Sequence, residues 1–158
     1  MRKEDTYFPL FVSLTGKQIY IAGAGRIAAR RAETLLSFGA KLSIAAPECA
    51  PEMLMLLKEK RGENLSYREK TFEETDLLGK DIVIAATDDA DVNHRIAVLC
   101  REKKVPVNNA SCKEDCDFFF PAVIQEQGLT IGVSSGGNDH KKVAQVCEKL
   151  RYFFGISL

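Results

Sequence analysis

Two glycines, Gly23 and Gly25, stand between an apolar run and an amphipathic one, and no other stretch constrains the chain as much. Lys17-Gln18-Ile19-Tyr20-Ile21-Ala22 reads as a buried strand, and after Arg26 the residues Ala28, Ala32, Leu35, Leu36 and Gly39 recur at helical spacing. A strand that ends in Gly-Ala-Gly and runs directly into a helix is the opening of a dinucleotide-binding α/β domain of the Rossmann type. Gly23 permits the sharp turn, and Gly25 lets the backbone approach a pyrophosphate. Ala28, where a third glycine is usual, keeps the helix close to its strand. The helix N-terminus presents unpaired N–H groups to phosphate. Gly23, Gly25, Arg26 and Ile27 are therefore the first candidate NAD contacts. Such junctions also open α/β domains that bind no dinucleotide, so the rest of the chain must supply context.

The 158 residues allow one ordinary domain, or one with a small appendage, and the apolar content supports a true core. Lys plus Arg and Asp plus Glu both number 22, so no net field recruits nucleic acid or an anionic membrane. No apolar run approaches a membrane span, and Met1-Arg2-Lys3-Glu4-Asp5 leads into no signal-peptide core, so a cytoplasmic protein is expected. The cysteines Cys49, Cys100, Cys112, Cys116 and Cys147 are too sparse for a disulfide framework, and reduced thiols are expected.

In chain order, Tyr7-Phe8-Pro9-Leu10-Phe11-Val12 is an aromatic-rich extended segment expected to pack across the sheet edge, with Pro9 keeping it out of a helix. Thr15-Gly16 turns into the first strand, and Gly39 ends the first helix. Lys41 to Ala45 is the second strand. Many NAD sites carry an acid at its end to bind the ribose, whereas this chain has Ala45-Ala46-Pro47-Glu48. Pro47 and Glu48 are the candidate contacts there, and the loop leaves the 2′ preference open. Pro51 to Arg61 reads as a helix with Met53, Leu54, Leu56 and Leu57 on its apolar face, stopped by Gly62. Leu65 to Glu69 suits an edge strand, and Glu73, Glu74 and Asp76 before Leu77-Leu78 suit one helical turn. Asp81 to Ala86 is a strand buried on both faces, closed by the cap Thr87-Asp88-Asp89. A helix from Ala90 to Lys103 turns Ile96, Ala97, Leu99 and Cys100 inward, and Pro106-Val107-Asn108 supplies the next parallel strand. This alternation specifies a doubly wound parallel sheet. Thr87, Asn108 and Asn109 stand at strand ends beside the switch point where open α/β sheets bind ligands.

After Asn109 the pattern changes. Phe118 to Ile124 and Leu129 to Ser134, separated by Gln125-Glu126-Gln127-Gly128, spell an antiparallel hairpin. Ser134-Ser135-Gly136-Gly137-Asn138-Asp139 then leads into a helix bearing Val143, Val146, Cys147 and Leu150. The expected division is 1–111 for the NAD-binding domain and 112–158 for a dimerisation and substrate module. Phe118, Phe119, Phe120, Val123, Ile124, Leu129, Ile131 and Val133 are too many large apolar groups for a hairpin to bury alone, so an isologous homodimer is expected. No internal repeat or low-complexity segment is present.

Six motifs in this order resemble the siroheme-synthase N-terminal family: Tyr-Phe-Pro-Leu-Phe at 7–11, Gly-Ala-Gly-Arg-Ile-Ala at 23–28, Ala-Ala-Thr-Asp-Asp at 85–89, Val-Asn-His-Arg-Ile at 92–96, Cys-Asp-Phe-Phe-Phe-Pro at 116–121 and Leu-Thr-Ile-Gly-Val-Ser-Ser-Gly-Gly at 129–137. The family contains precorrin-2 dehydrogenases, some of them also sirohydrochlorin ferrochelatases. The resemblance covers nearly the whole chain. It implies NAD-dependent oxidation of the tetrapyrrole precorrin-2 to sirohydrochlorin, on a homodimer whose second module crosses between subunits.

The chain departs from the family in two respects. The family usually carries an aspartate after the fifth strand that is implicated in dehydrogenation and metal insertion, and here Val107-Asn108-Asn109-Ala110-Ser111 places Ser111 in its position. A serine hydroxyl is no carboxylate base near neutral pH. Family members also continue into a helical domain that closes over the tetrapyrrole, and that domain is expected to be absent here.

Each candidate has an ordinary explanation beside the functional one. Asp115 and Asp117 offer replacement acids, though loop carboxylates are commonly solvated or capping. Cys112 and Cys116, with His140, are spaced more loosely than a zinc knuckle, and no metal site is expected. His94 lies among charged helix positions that suit a surface or packing role. Ser134, Ser135, Gly136 and Gly137 suit either a substrate edge or a turn needing glycine torsions. The sequence thus supports an NAD-dependent precorrin-2 dehydrogenase with Ser111 and Asp115 as catalytic candidates. The rival is a regulator of the same fold that binds NAD or a tetrapyrrole without turnover.

Overall fold

The computed structural model describes residues 7–60, 62, 64–126 and 128–155. Met1–Asp5, Arg61 at the expected end of the second helix, Gln127 of the hairpin turn and Leu158 lie outside the described residues. The chain divides into two units, one of residues 13–118 and one that joins the N-terminal segment to residues from 119 onward.

The first unit contains β1 (Gln18–Ala22), α1 (Arg26–Ser37), β2 (Lys41–Ala46), α2 (Pro51–Glu59), β3 (Leu65–Glu69), β4 (Ile82–Ala85), α3 (Ala90–Lys103) and β5 (Val107–Asn109). The strands form one parallel sheet in the order β3-β2-β1-β4-β5. β1 is central because four of its five residues are buried, as a strand covered on both faces must be. Its side chains alternate. Tyr20 and Ala22 join Val83, Ala85, Val107 and the helix residues Ile96, Ala97 and Cys100 in one buried cluster. Ile19 and Ile21 point to the opposite face, and α1 packs on β1 and β2 while presenting buried Ala28, Ala32 and Leu35. Truncating Ile96, fully buried in the α3 stripe, carries the usual cost of about 2–5 kcal/mol.

The helix ends follow from local chemistry. Asp89 accepts N–H groups from Asp91 and Val92 at 2.9 and 3.1 Å and so caps α3. Gly39 follows α1 at φ 80° and donates to Leu36 O, as a glycine after a helix C-cap does. Asp117 closes the outer edge of β5, donating its N–H to Val107 O and accepting Val107 N–H, both at 2.9 Å. α2 is shorter and less buried than its apolar residues suggest. It stops at Glu59, with only Met53 and Leu56 buried and Leu54 exposed. The acidic run forms a 3-10 turn, Glu74–Leu77, which buries Leu77.

The second unit holds an antiparallel hairpin, β6 (Ala122–Glu126) and β7 (Leu129–Val133), and the helix α4 (His140–Phe154). Three boundaries differ from those read in the sequence. Phe118–Pro121 is not strand, because Asn108 Nδ2 holds Phe118 O at 2.7 Å and Pro121 has no N–H to give to a ladder. Residues 112–118 group with the sheet, tied there by Asp117. The segment 7–12 groups with the hairpin, and Tyr7 stands edge-on to Phe119 with ring centroids 4.7 Å apart.

Candidate functional site

The first unit's site residues gather at the carboxyl ends of β1, β4 and β5. The loop after β1 is built against its neighbours: Gly23 N–H donates to Ala45 O and Ala86 N–H to Ala22 O, both at 2.8 Å. Gly23 has φ 102°, and a Cβ there would collide with the carbonyl of Ala86. Its glycine is thus required by the fold itself.

Gly25 is different. It caps α1 at φ −77° and ψ −179°, which any residue adopts, and a Cβ would meet no protein atom within 4 Å. Neither torsion nor packing within the chain demands glycine there. No side chain caps α1, and no acid lies in its first turn. Exposed backbone N–H groups behind an open glycine fit a dinucleotide pyrophosphate. Arg26 and Ile27, exposed in the first turn, flank this cradle, and Pro47 and Glu48 are exposed after β2.

At the ends of β4 and β5 one buried amide ties several groups together. Asn93 Oδ1 accepts Thr87 N–H at 3.0 Å and lies 2.8 Å from Thr87 Oγ1, while Asn93 Nδ2 donates to Thr87 O and Ser111 Oγ, each at 3.1 Å. Ser111 donates its N–H and hydroxyl to Asn109 Oδ1 at 2.9 and 2.8 Å. Asn109 Nδ2 donates to Asp115 Oδ2 at 3.1 Å. Asp115 also lies 2.8 Å from His94 Nδ1 and 3.1 Å from Arg101 Nη2. The chain of contacts runs unbroken from Thr87 to Asp115.

Asp115 is therefore no solvated loop acid. Burial pushes its carboxyl up, but the hydrogen bonds from His94 and Arg101 prevail and hold it below the usual carboxylate range. Cys116 packs beside it, with Sγ 3.2 Å from both the N–H and the carbonyl of Asn109. Burial pushes the Cys116 thiol up, against the lowering effect of the Asn109 N–H, so it serves as a protonated packing group. Asn108 is buried, with Nδ2 donating to Phe118 O at 2.7 Å and lying 3.4 Å from Cys116 Sγ, while its Oδ1 has no hydrogen-bond partner among the described residues. Asp117 is spent on β5. Among the described residues no group of three or more His, Cys, Asp or Glu side chains is arranged to hold a metal ion.

Ser134, Ser135, Gly136 and Gly137 belong to the second unit. Their local roles are those of a turn. Ser134 Oγ accepts Gly136 N–H at 3.1 Å, and Ser135 Oγ accepts Asp139 N–H at 2.8 Å. Gly136 and Gly137 have φ 62° and 77°, and a Cβ on Gly136 would come within 2.9 Å of the Tyr7 ring.

Sequence reasoning passed over Asn93, which carried a visible signal. It stands three, four and seven positions before Ile96, Ala97 and Cys100, a polar residue on an apolar stripe. A buried polar side chain at such a position must find partners.

The family model described as putative NAD(P)-binding matches residues 10–122. The probable multifunctional siroheme biosynthesis protein HemA of Ruminiclostridium josui is 39% identical over 145 residues, covering 91% of this chain and 28% of that protein. The siroheme synthase of Psychrobacter sp. (strain PRwf-1) is 37% identical over 130 residues, covering 82% of this chain and 26% of its own length. The chain thus spans about a quarter of the length of the curated relatives it matches. The solved structure of SirC, precorrin-2 dehydrogenase, is similar with TM-score 0.73 at 25% identity, covering 95% of this chain and 72% of that one. With the strand order, the glycine turn and these similarities in hand, the chain belongs to the putative NAD(P)-binding family of siroheme-synthase N-terminal regions.

Proposed function

We propose that this chain is a cytoplasmic NAD-dependent dehydrogenase, acting as a homodimer, that oxidises precorrin-2 to sirohydrochlorin and is a poor ferrochelatase. The observation that carries the cofactor assignment is Gly25, a glycine that neither torsion nor packing requires, at the uncapped start of α1. The similarity to SirC supports the substrate class.

NAD, when bound, supplies the two-electron acceptor at nicotinamide C4. The first-turn N–H groups of α1 would hold its pyrophosphate, with Arg26 as a flanking cation and Ile27 beside it, and Pro47 and Glu48 would border the ribose. Thr87, Asn108 and Asn109 would border the nicotinamide, Thr87 and Asn109 being held by their bonds to Asn93 and Ser111. Such locked groups orient substrate against cofactor, and orientation is the larger part of what a protein contributes to this chemistry. Ser134 and Ser135 are assigned to tetrapyrrole contact from the second unit. That unit also exposes Phe8, Phe11, Tyr152 and Phe153, an apolar surface that suits a second copy of the chain.

Ser111, in the position of the family's acid, favours one other reading, a regulator that binds NAD or a tetrapyrrole without turnover. A direct assay separates the two. Growth of nicotinamide absorbance with precorrin-2 and NAD establishes the dehydrogenase, and NAD binding without turnover establishes the regulator.

A further inference from the structure

The family resemblance implies an acid at position 111, yet the polar side chains of this site converge on Asp115. Its side chain is 8% exposed, and it is held by His94, Arg101 and Asn109. His94 itself is 61% exposed, and its Nδ1 is the atom turned to Asp115. Building on the dehydrogenase reading, we propose that His94, oriented by Asp115, accepts the proton released when the tetrapyrrole is oxidised, in place of the acid that Ser111 replaces.

Three observations carry this assignment. The first is orientation. A carboxylate that accepts Nδ1–H fixes the imidazole tautomer and leaves the Nε2 lone pair free on a largely exposed ring. The second is location. His94 lies in the second turn of α3, just beyond the end of β4, and Asn109 ties Asp115 to the end of β5. Open α/β sheets bind their ligands outside these carboxyl ends.

The third is the unsuitability of the neighbours. The Ser111 hydroxyl is no base near neutral pH, and its proton is given to Asn109. Asp115 is occupied by three donors that stabilise its ionised form, which makes it a positioning residue rather than a proton acceptor.

The step balances with the oxidant already named. A substrate C–H bond breaks and its hydrogen leaves with the electron pair to oxidised NAD. A substrate N–H proton passes to His94 Nε2, and a double bond forms in the tetrapyrrole. His94 then releases the proton to water.

The test uses the full chain with NAD and precorrin-2. His94→Ala is expected to lower kcat about 10²-fold, with NAD affinity within about twofold of native, and added imidazole is expected to restore at least about a tenth of the native rate. Gly25→Val, which damages the cradle instead, is expected to gain nothing from imidazole. A second readout needs no cofactor: proton NMR should show a downfield Nδ1–H resonance that disappears in both His94→Gln and Asp115→Asn. Native turnover in His94→Ala, no rescue by imidazole, or no such resonance overturns the inference. Absence of turnover in the unaltered chain overturns the dehydrogenase reading and this inference together, whereas turnover insensitive to His94 overturns this inference alone.

Discussion

Asn93 Nδ2 donates to Ser111 Oγ at 3.1 Å, so a fully buried amide on α3 holds the hydroxyl that follows β5. The same amide serves the N–H, carbonyl and hydroxyl of Thr87. Asn93→Leu keeps the branched shape but leaves the Thr87 N–H and carbonyl without their side-chain partner, while the hydroxyl keeps its bonds to Asp89, at about 1–3 kcal/mol for each group left unpaired. The urea unfolding midpoint is expected to fall accordingly. An unchanged midpoint would show that water satisfies Thr87 and that the amide is not the tie described here.

The two turn glycines are expected to fail in different ways. Gly23→Ala forces a Cβ onto Ala86 O at φ 102°, so it should lower thermal stability whatever ligand is present. Gly25→Val projects into open space and should leave the melting temperature of the unliganded chain near native while weakening NAD by about tenfold or more. Calorimetry with and without NAD reads both variants. Equal NAD affinity in Gly25→Val and the native chain would remove the cofactor site.

The sheet was legible because its signals are local. Apolar runs such as Ile82–Ala85 and the stripe Ile96, Ala97 and Cys100 report burial directly, and the glycine turn orders them. What escaped notice depends on partners distant in sequence. The Tyr7 ring finds Phe119, and no periodicity in a short aromatic segment announces which unit it joins. His94 meets Asp115 21 positions away, so each side chain alone looks like an ordinary surface polar group. Pro121 was visible as a ladder breaker, whereas the Asn108 bond that also holds Phe118 O comes from a residue ten positions away.

Asp115 makes acid stability site-specific. Its carboxyl is held below the usual range in the folded chain, so the unfolded state binds its proton more readily. The stabilisation is complete above the unfolded carboxylate pKa of about 3.9 and is lost as pH falls through the lower folded value. Asp115→Asn is therefore expected to flatten the acid limb of a stability–pH curve while lowering stability at neutral pH. Asp76, lowered by the Glu73 N–H and Lys70 against burial, contributes in the same direction and survives in that variant. A limb as steep as native in Asp115→Asn would assign acid unfolding to Asp76 and the other carboxylates.

The apolar surface of the second unit should report on assembly. Phe8 and Phe11 are 87% and 70% exposed, an unusual load for one short segment. Sedimentation at micromolar concentration is expected to show a dimer, and Phe8→Asp with Phe11→Asp a monomer with its sheet unit intact. A native monomer would remove the homodimer and leave this surface to a different partner.

Ser111→Asp tests the proposal that an acid at this position serves the chemistry. Metal insertion needs a base to remove pyrrole protons and a carboxylate to hand over the metal ion, and a hydroxyl supplies neither. The native chain should therefore lack a general-base contribution of about 10²–10⁴-fold and insert iron or cobalt near the uncatalysed rate. The incoming carboxylate meets Asn93 Nδ2, a donor, on one side and Asn109 Oδ1, an acceptor, on the other. It is thus attracted toward α3 and repelled from Asn109, so recovery is expected to be partial, about tenfold rather than the full range. NAD reduction depends more on holding substrate against the cofactor, and should rise less than metal insertion does. Spectrophotometric assays of both reactions on both chains decide the matter. Native chelatase activity that Ser111→Asp leaves unchanged would place the metal-handling acid elsewhere in the chain.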